Sequence, residues 1–170
     1  MKTLCYMKRI IDLVKTINRP GVDAVVDYIM NSDFATARCG KHHTGKGGLV
    51  DHSLEVHELM KQEHSDDMPE ESIIICSLFH DLGKAKRTGW YFKCKHPARS
   101  IAILKRCGFK LTKDEEFAIR NHHDPVDGLL THKYRNALTK ADMTSTCNWK
   151  EKNNCMTFND YLLKLGINLL

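Results

Sequence analysis

The segment Ser72-Ile73-Ile74-Ile75-Cys76-Ser77-Leu78-Phe79-His80-Asp81-Leu82-Gly83-Lys84 is apolar on nearly every face through Phe79. A surface helix carries one apolar stripe, whereas a helix that is apolar all round has to lie among others. The segment therefore predicts a central helix over 72–84, and with it a helical domain. It runs into His80-Asp81, where adjacent side chains offer a metal ion one nitrogen and one oxygen from a single turn. Two polar groups at the end of so apolar a helix demand partners in the interior.

Outward from this segment the hydrophobic period is helical nearly throughout. Ile10, Leu13, Val14 and Ile17 recur at three- and four-residue steps and stop before Arg19-Pro20-Gly21. Pro20 suits the first position of a second helix, with Val22, Val25, Val26 and Ile29 on one side. Thr36 to Gly48 reads as a loop, and Leu49 to His64 as a helix. Gly89 to Phe92 reads as an extended connector. His96-Pro97 and Gly108 bracket a further helix, with His96 as its cap and the proline first inside it. Thr112-Lys113-Asp114-Glu115 is a capping box opening a helix that runs to His122 or His123, where Asp124-Pro125 and Asp127-Gly128 break it. Tyr134 to Cys147 and Thr157 to Leu169 complete the set. The expectation is an all-α, single helical-bundle domain over 1–170, with a core of about 19–147 and a C-terminal helix over 157–169.

Composition narrows the function. At 170 residues the chain suits one domain with a real core. No apolar run approaches the roughly 18 residues of a membrane span, and the first residues lack an apolar signal region. No membrane association and a cytoplasmic location are expected. Seven cysteines without a C-x-x-C pair suit neither a disulfide framework nor a cysteine zinc finger. Ten histidines are a richer supply of metal ligands. A net charge of +5 is compatible with an anionic substrate but not with a surface built to wrap DNA.

Two more residues frame the His-Asp pair: His52, in Gly47-Gly48-Leu49-Val50-Asp51-His52-Ser53, and Asp142, in Lys140-Ala141-Asp142-Met143-Thr144-Ser145. With Val56 and Leu59 on its own helix face, His52 points inward, while His57 is turned away and is excluded as a ligand. Leu138 and Ala141 draw Asp142 toward the interior. Two imidazoles and two carboxylates from separate helices can hold a divalent ion, which acidifies a bound water and neutralises phosphoryl charge. Lys84, one turn beyond the pair, projects over the same face, to contact a phosphate or to hold Asp81. Arg99 lies in the first turn of a helix, a natural anion site. Lys46, in the loop Lys41-His42-His43-Thr44-Gly45-Lys46, could close over a phosphate.

The order H…HD…D with these flanks resembles the HD-domain metal-dependent phosphohydrolases, over about residues 19–145 and most of all the small stand-alone bacterial and phage type. The resemblance implies the same helical bundle, with His52, His80, Asp81 and Asp142 as metal ligands and Asp81 central to catalysis with Lys84. His96 and His122, with His123 as a spare, match the two intermediate histidines of binuclear members, whose second ion shares the aspartate of the HD pair. His122-His123-Asp124…Asp127-Gly128 is also similar to a run in HD-GYP cyclic-dinucleotide phosphodiesterases. Here, however, Gly128 is followed by Leu129-Leu130 and not Tyr-Pro. The implied activity is hydrolysis of a phosphate ester of a nucleotide or cyclic nucleotide by a metal-activated hydroxide. The cofactor is one or two ions of Mn, Fe, Co, Ni or Zn, with Mg also open. Two alternatives stand beside it. One is a 3′-end RNA or single-stranded DNA nuclease, which His42-His43 fits and for which Trp90-Tyr91-Phe92 is the available stacking cluster. The other is a non-catalytic nucleotide-binding module. The oligomeric state is left open.

Overall fold

In the computed structural model, residues 2–126, 132–153 and 155 are described. The Asp127-Gly128 break and the helix expected over 157–169 lie outside them. Among the described residues the regular structure is all helical: α1 (Lys2–Lys15), α2 (Val22–Met30), α3 (Gly48–His64), α4 (Glu70–Phe79), a 3-10 turn (Leu82–Lys84), α5 (His96–Arg106), α6 (Lys113–Asn121) and α7 (Lys133–Lys152).

The central position expected for the Ile73–Phe79 run is what its composition brings about. Every residue of α4 from Ser72 to Phe79 is buried. Each fully covered Ile, Leu or Phe contributes about 1.5–3 kcal/mol, so the helix has no face it can turn to water. α3 packs along α4 and then against α7, while α5 packs on the 3-10 turn and α6 fills the space between α5 and α7. One core cluster joins α1, α2 and α5 to Leu78 and Phe79. A second joins Met60 and Val56 of α3 to Cys76, Ala118 and Leu138.

The central helix stops earlier than the sequence pattern suggests. It ends at Phe79, and Asp81 (φ −104°, ψ 8°) leads into the 3-10 turn. The tightening has a steric cause at Gly83. A Cβ there would lie 2.3 Å from the His96 carbonyl oxygen and 2.8 Å from the Ser100 nitrogen. The Gly83 N–H instead donates to Ser100 Oγ at 2.8 Å, which seats the start of α5 on the turn.

Two helix starts also shift. α2 begins at Val22 rather than Pro20, because Gly21 takes the left-handed conformation (φ 89°) against the Phe109 backbone, where a Cβ would sit 2.6 Å from its nitrogen. In α5, His96 is the first helical residue and Lys95 the cap, which puts Pro97 second. The Thr112 capping box forms as expected: Thr112 Oγ accepts from Glu115 N–H at 3.2 Å and Glu115 Oε2 from Thr112 N–H at 2.8 Å. α6 closes at Asn121, leaving His122 and His123 in the turn that follows. α7 is longer than expected and runs to Lys152.

Candidate metal centre

His52 on α3, His80 and Asp81 after α4, and Asp142 on α7 converge in the interior, all under 10% exposed. His52 Nε2 lies 3.2 Å from His80 Nε2, 3.1 Å from Asp142 Oδ1 and 3.6 Å from Asp81 Oδ2. His80 Nε2 lies 3.4 Å from that same Asp81 oxygen. Nitrogen and oxygen ligands about 2.1 Å from one ion stand about 3.0–3.5 Å apart, so these donors are spaced as such a set requires. The four residues fit a divalent ion.

Asp81 serves two sides. Its other oxygen, Oδ1, faces His96 Nε2 at 3.1 Å and His122 Nε2 at 3.8 Å. His123 Nε2 is 3.0 Å from His96 Nε2, so both histidines of the pair reach this side, with His122 buried and His123 exposed. Among the described residues His122 Nε2 is buried without a hydrogen-bond partner, while Asp81 Oδ1, also buried, has the His96 contact at 3.1 Å. Orphaned polar atoms of this kind are costly without a ligand. His96, His122 and His123 form a second group able to hold a metal ion beside His52, His80 and Asp81.

The local structure fixes which nitrogen each histidine turns inward. His80 Nδ1 donates to the Ser77 carbonyl and His122 Nδ1 to the Ile119 carbonyl, both at 2.8 Å. His52 Nδ1 donates to Ser145 Oγ at 3.0 Å, and that hydroxyl donates to Glu55 Oε2 at 3.1 Å. With each Nδ1 donating outward, each Nε2 is the atom turned to the centre, the one a metal ligand would use.

Electrostatics point the same way. Burial pushes His122 down to about 3 and lowers His52, so both are neutral at pH 7. Burial would raise Asp81, but His80, His96 and Lys84 hold it well below the usual carboxylate range. Asp142 likewise stays low, as contact with His52 outweighs its burial. Burial opposes charge on His80, yet the Asp81 carboxylate beside it wins and raises it. Two buried carboxylates thus call for positive charge between them.

The remaining expected residues separate. Lys84 Nζ donates to Asp81 Oδ2 at 2.5 Å and reaches Cys39 Sγ at 3.2 Å, so it holds the aspartate. Arg99 spends its guanidinium on the Gly83 and Cys94 carbonyls, at 3.1 and 2.8 Å, next to a hollow of 540 Å³ lined by Tyr28, Trp90 and Tyr91. Lys46 is exposed, beside Leu4, Met7, Ala35 and Thr36. His57 is off the cluster, yet it is buried, with Nδ1 3.2 Å from Ser77 Oγ.

The loop before α3 forms a roof that the motif reading leaves out. Cys39 Sγ donates to Asp81 Oδ2 at 3.3 Å, and His42 Nε2 lies 3.8 Å from that sulfur. His42 and His43 meet through their Nδ1 atoms at 3.0 Å, and His43 Nε2 continues to Glu55 Oε2 at 3.2 Å. His43 holds a positive φ of 47°, a strained setting for a side-chain-bearing residue. The sequence signal was the unusual Cys39-x-x-His42-His43 spacing just upstream of His52. Glu55 stands three residues after His52, on an adjoining face of α3.

No family model, curated protein or solved structure matches this chain.

Proposed function

We propose that this protein is a metal-dependent phosphohydrolase of the HD-domain type, acting on a phosphate ester of a nucleotide or cyclic nucleotide. One observation carries the reading: Asp81 turns one oxygen to His52 and His80 and the other to His96 and His122. That is the disposition of a carboxylate shared by two ions.

His52, His80, Asp81 and Asp142 would hold the first ion, and His96, His122 or His123 with Asp81 the second. Divalent ions there would supply an acidified water and neutralise phosphoryl charge. The protein's own part is to aim those histidines, through Ser77, Ile119 and the Ser145–Glu55 relay, while burial keeps His52 and His122 neutral. Lys84 fixes Asp81 and leaves a cation at the edge of the centre, where an anionic ester is attracted. A hollow of 340 Å³ beside the roof, lined by His43, Glu55, Trp149 and Lys152, offers a nucleotide an aromatic ring and a further cation.

A second reading, a 3′-end nuclease, is favoured by Tyr91, which is 83% exposed beside Lys86 and Arg87 at the other hollow and so available for base stacking. The deciding experiment is metal analysis of the purified protein joined to a panel of nucleoside mono- and triphosphates, cyclic nucleotides and short oligonucleotides. Turnover of a nucleotide that chelation abolishes supports the reading. Turnover of oligonucleotides alone favours the nuclease. Metal-free protein inert toward the whole panel after supplementation would overturn both.

A further inference from the structure

We infer that Cys39 is a thiolate ligand of the first ion, completing a set with His52, His80, Asp81 and Asp142. The inference rests on the metal-centre reading above and adds a donor that the H…HD…D pattern does not contain.

The argument begins with spacing. Sulfur about 2.3 Å and oxygen about 2.1 Å from one ion lie about 3.1–3.6 Å apart. Cys39 Sγ stands 3.3 Å from Asp81 Oδ2, the oxygen that faces His52 and His80. Cys39 also forms a donor group with His42 and His52 whose ligand atoms all lie within 4.8 Å of one another. It is the only cysteine in any such group among the described residues. The side chain is 2% exposed, so its sulfur faces the interior rather than solvent.

A second observation is independent of the sulfur. On the side of Asp81 that Cys39 meets, His52, His80 and Asp81 are all buried and bring ligand atoms within 4.8 Å of one another, a donor set that exists without Cys39. Burial and the Asp81 carboxylate hold the Cys39 thiol up, and Lys84 Nζ, 3.2 Å from Cys39 Sγ and 2.5 Å from Asp81 Oδ2, offsets this only in part, so it is the charge of a bound ion that would make the sulfur a thiolate. When the ion binds, the metal–sulfur bond forms, the S–H bond breaks and its proton leaves to solvent; nothing is oxidised or reduced. A sulfur donor among imidazoles and carboxylates shifts the preference toward Zn, Co or Fe(II) and away from Mg and Mn.

The test is X-ray absorption of the zinc-loaded full-length protein, paired with optical spectra of the Co(II)-loaded form, for wild type, Cys39→Ser and Cys39→Ala. The expected result is one sulfur neighbour at about 2.3 Å and a sulfur-to-cobalt charge-transfer band, both lost in the variants while metal remains bound. Metal held by nitrogen and oxygen alone in the wild type would overturn the inference and leave the metal centre standing. Persistence of the sulfur signal in either variant would also overturn it. Failure of the wild type to bind zinc or cobalt would remove the inference and the metal centre together. Should neither variant fold, the wild-type spectra still decide, because they must contain sulfur.

Discussion

Arg19 grips Glu115 with two prongs, Nη1 to Oε2 at 2.6 Å and Nη2 to Oε1 at 2.9 Å, across 96 positions of sequence. The carboxylate is fully buried and also accepts from Ser72 Oγ at 2.8 Å and from the Thr112 N–H, while Arg19 Nε turns to Glu71. The pair ties the α1–α2 turn to α4 and α6, which carry the strands of chain leading to His80 and His122.

Breaking this pair should be costly. Arg19→Met leaves the buried Glu115 carboxylate without its cation, a loss of about 3 kcal/mol. In a domain of this size that lowers the melting temperature by about 6–12 °C, which calorimetry would register. A drop of under a degree would show that the pair is not holding the helices together.

The same residue predicts an acid limb. Burial opposes ionisation of Glu115, but Arg19, Thr112 and Ser72 together lower it below its ordinary value of 4.5. The unfolded chain therefore takes up the proton first as pH falls. Glu115's contribution is complete above about 4.5 and is lost as pH drops through the lower folded value. Urea titrations from pH 6 to pH 3 should show wild type losing more stability than Glu115→Gln over that window. Parallel curves would contradict it.

Asp81→Asn keeps the shape of the side chain and removes the charge that both sides of the centre share. Bound metal should fall to background by elemental analysis, and any hydrolytic activity with it. Full metal content in this variant would sink the metal-centre reading.

His96→Ala and His122→Ala test the second side alone. If two ions bind, either variant should retain one metal per chain, with activity reduced by orders of magnitude. Anomalous scattering from a wild-type crystal that shows a single ion would reduce the centre to one metal.

His57→Ala separates burial from ligation. Its ring is 1% exposed and meets Ser77 Oγ, so the variant should lose about 2 kcal/mol, mainly through the cavity, since the Ser77 hydroxyl keeps its bond to the Ile73 carbonyl. Metal content should be unchanged. A variant as stable as wild type, or one that loses metal, would contradict the placement.

The helical class and the inward setting of His52 and Asp142 were legible in the chain, because helix phase is a local property of α3, α4 and α7, while the convergence of His52, His80, Asp81 and Asp142 was legible only through the family resemblance. The early end of α4 was not, since it depends on Gly83 meeting the start of α5, a contact between remote segments. His42-His43 stood out as fitting a nuclease run, but the contact of Cys39 with Asp81 was not legible, for a related reason. A glycine-rich loop has no period from which side-chain direction can be read, and its path is set by what it lands on. Lys46 and Arg99 show the converse: nearness in sequence to the motif did not bring either to the cluster.

The close seat of Gly83 has a further consequence. The backbone of the 3-10 turn touches the carbonyl of His96, and Asp81 stands two residues before that point. The gap between Asp81 Oδ1 and His96 Nε2 is therefore a manufactured clearance, set by the lack of one methyl group. Gly83→Ala would act as a shim driven between turn and helix, lengthening the reach of the shared carboxylate toward His96 while His52 and Asp142, on α3 and α7, stay where they are. A single methyl would then grade the two sides of the centre apart, loosening one before the other.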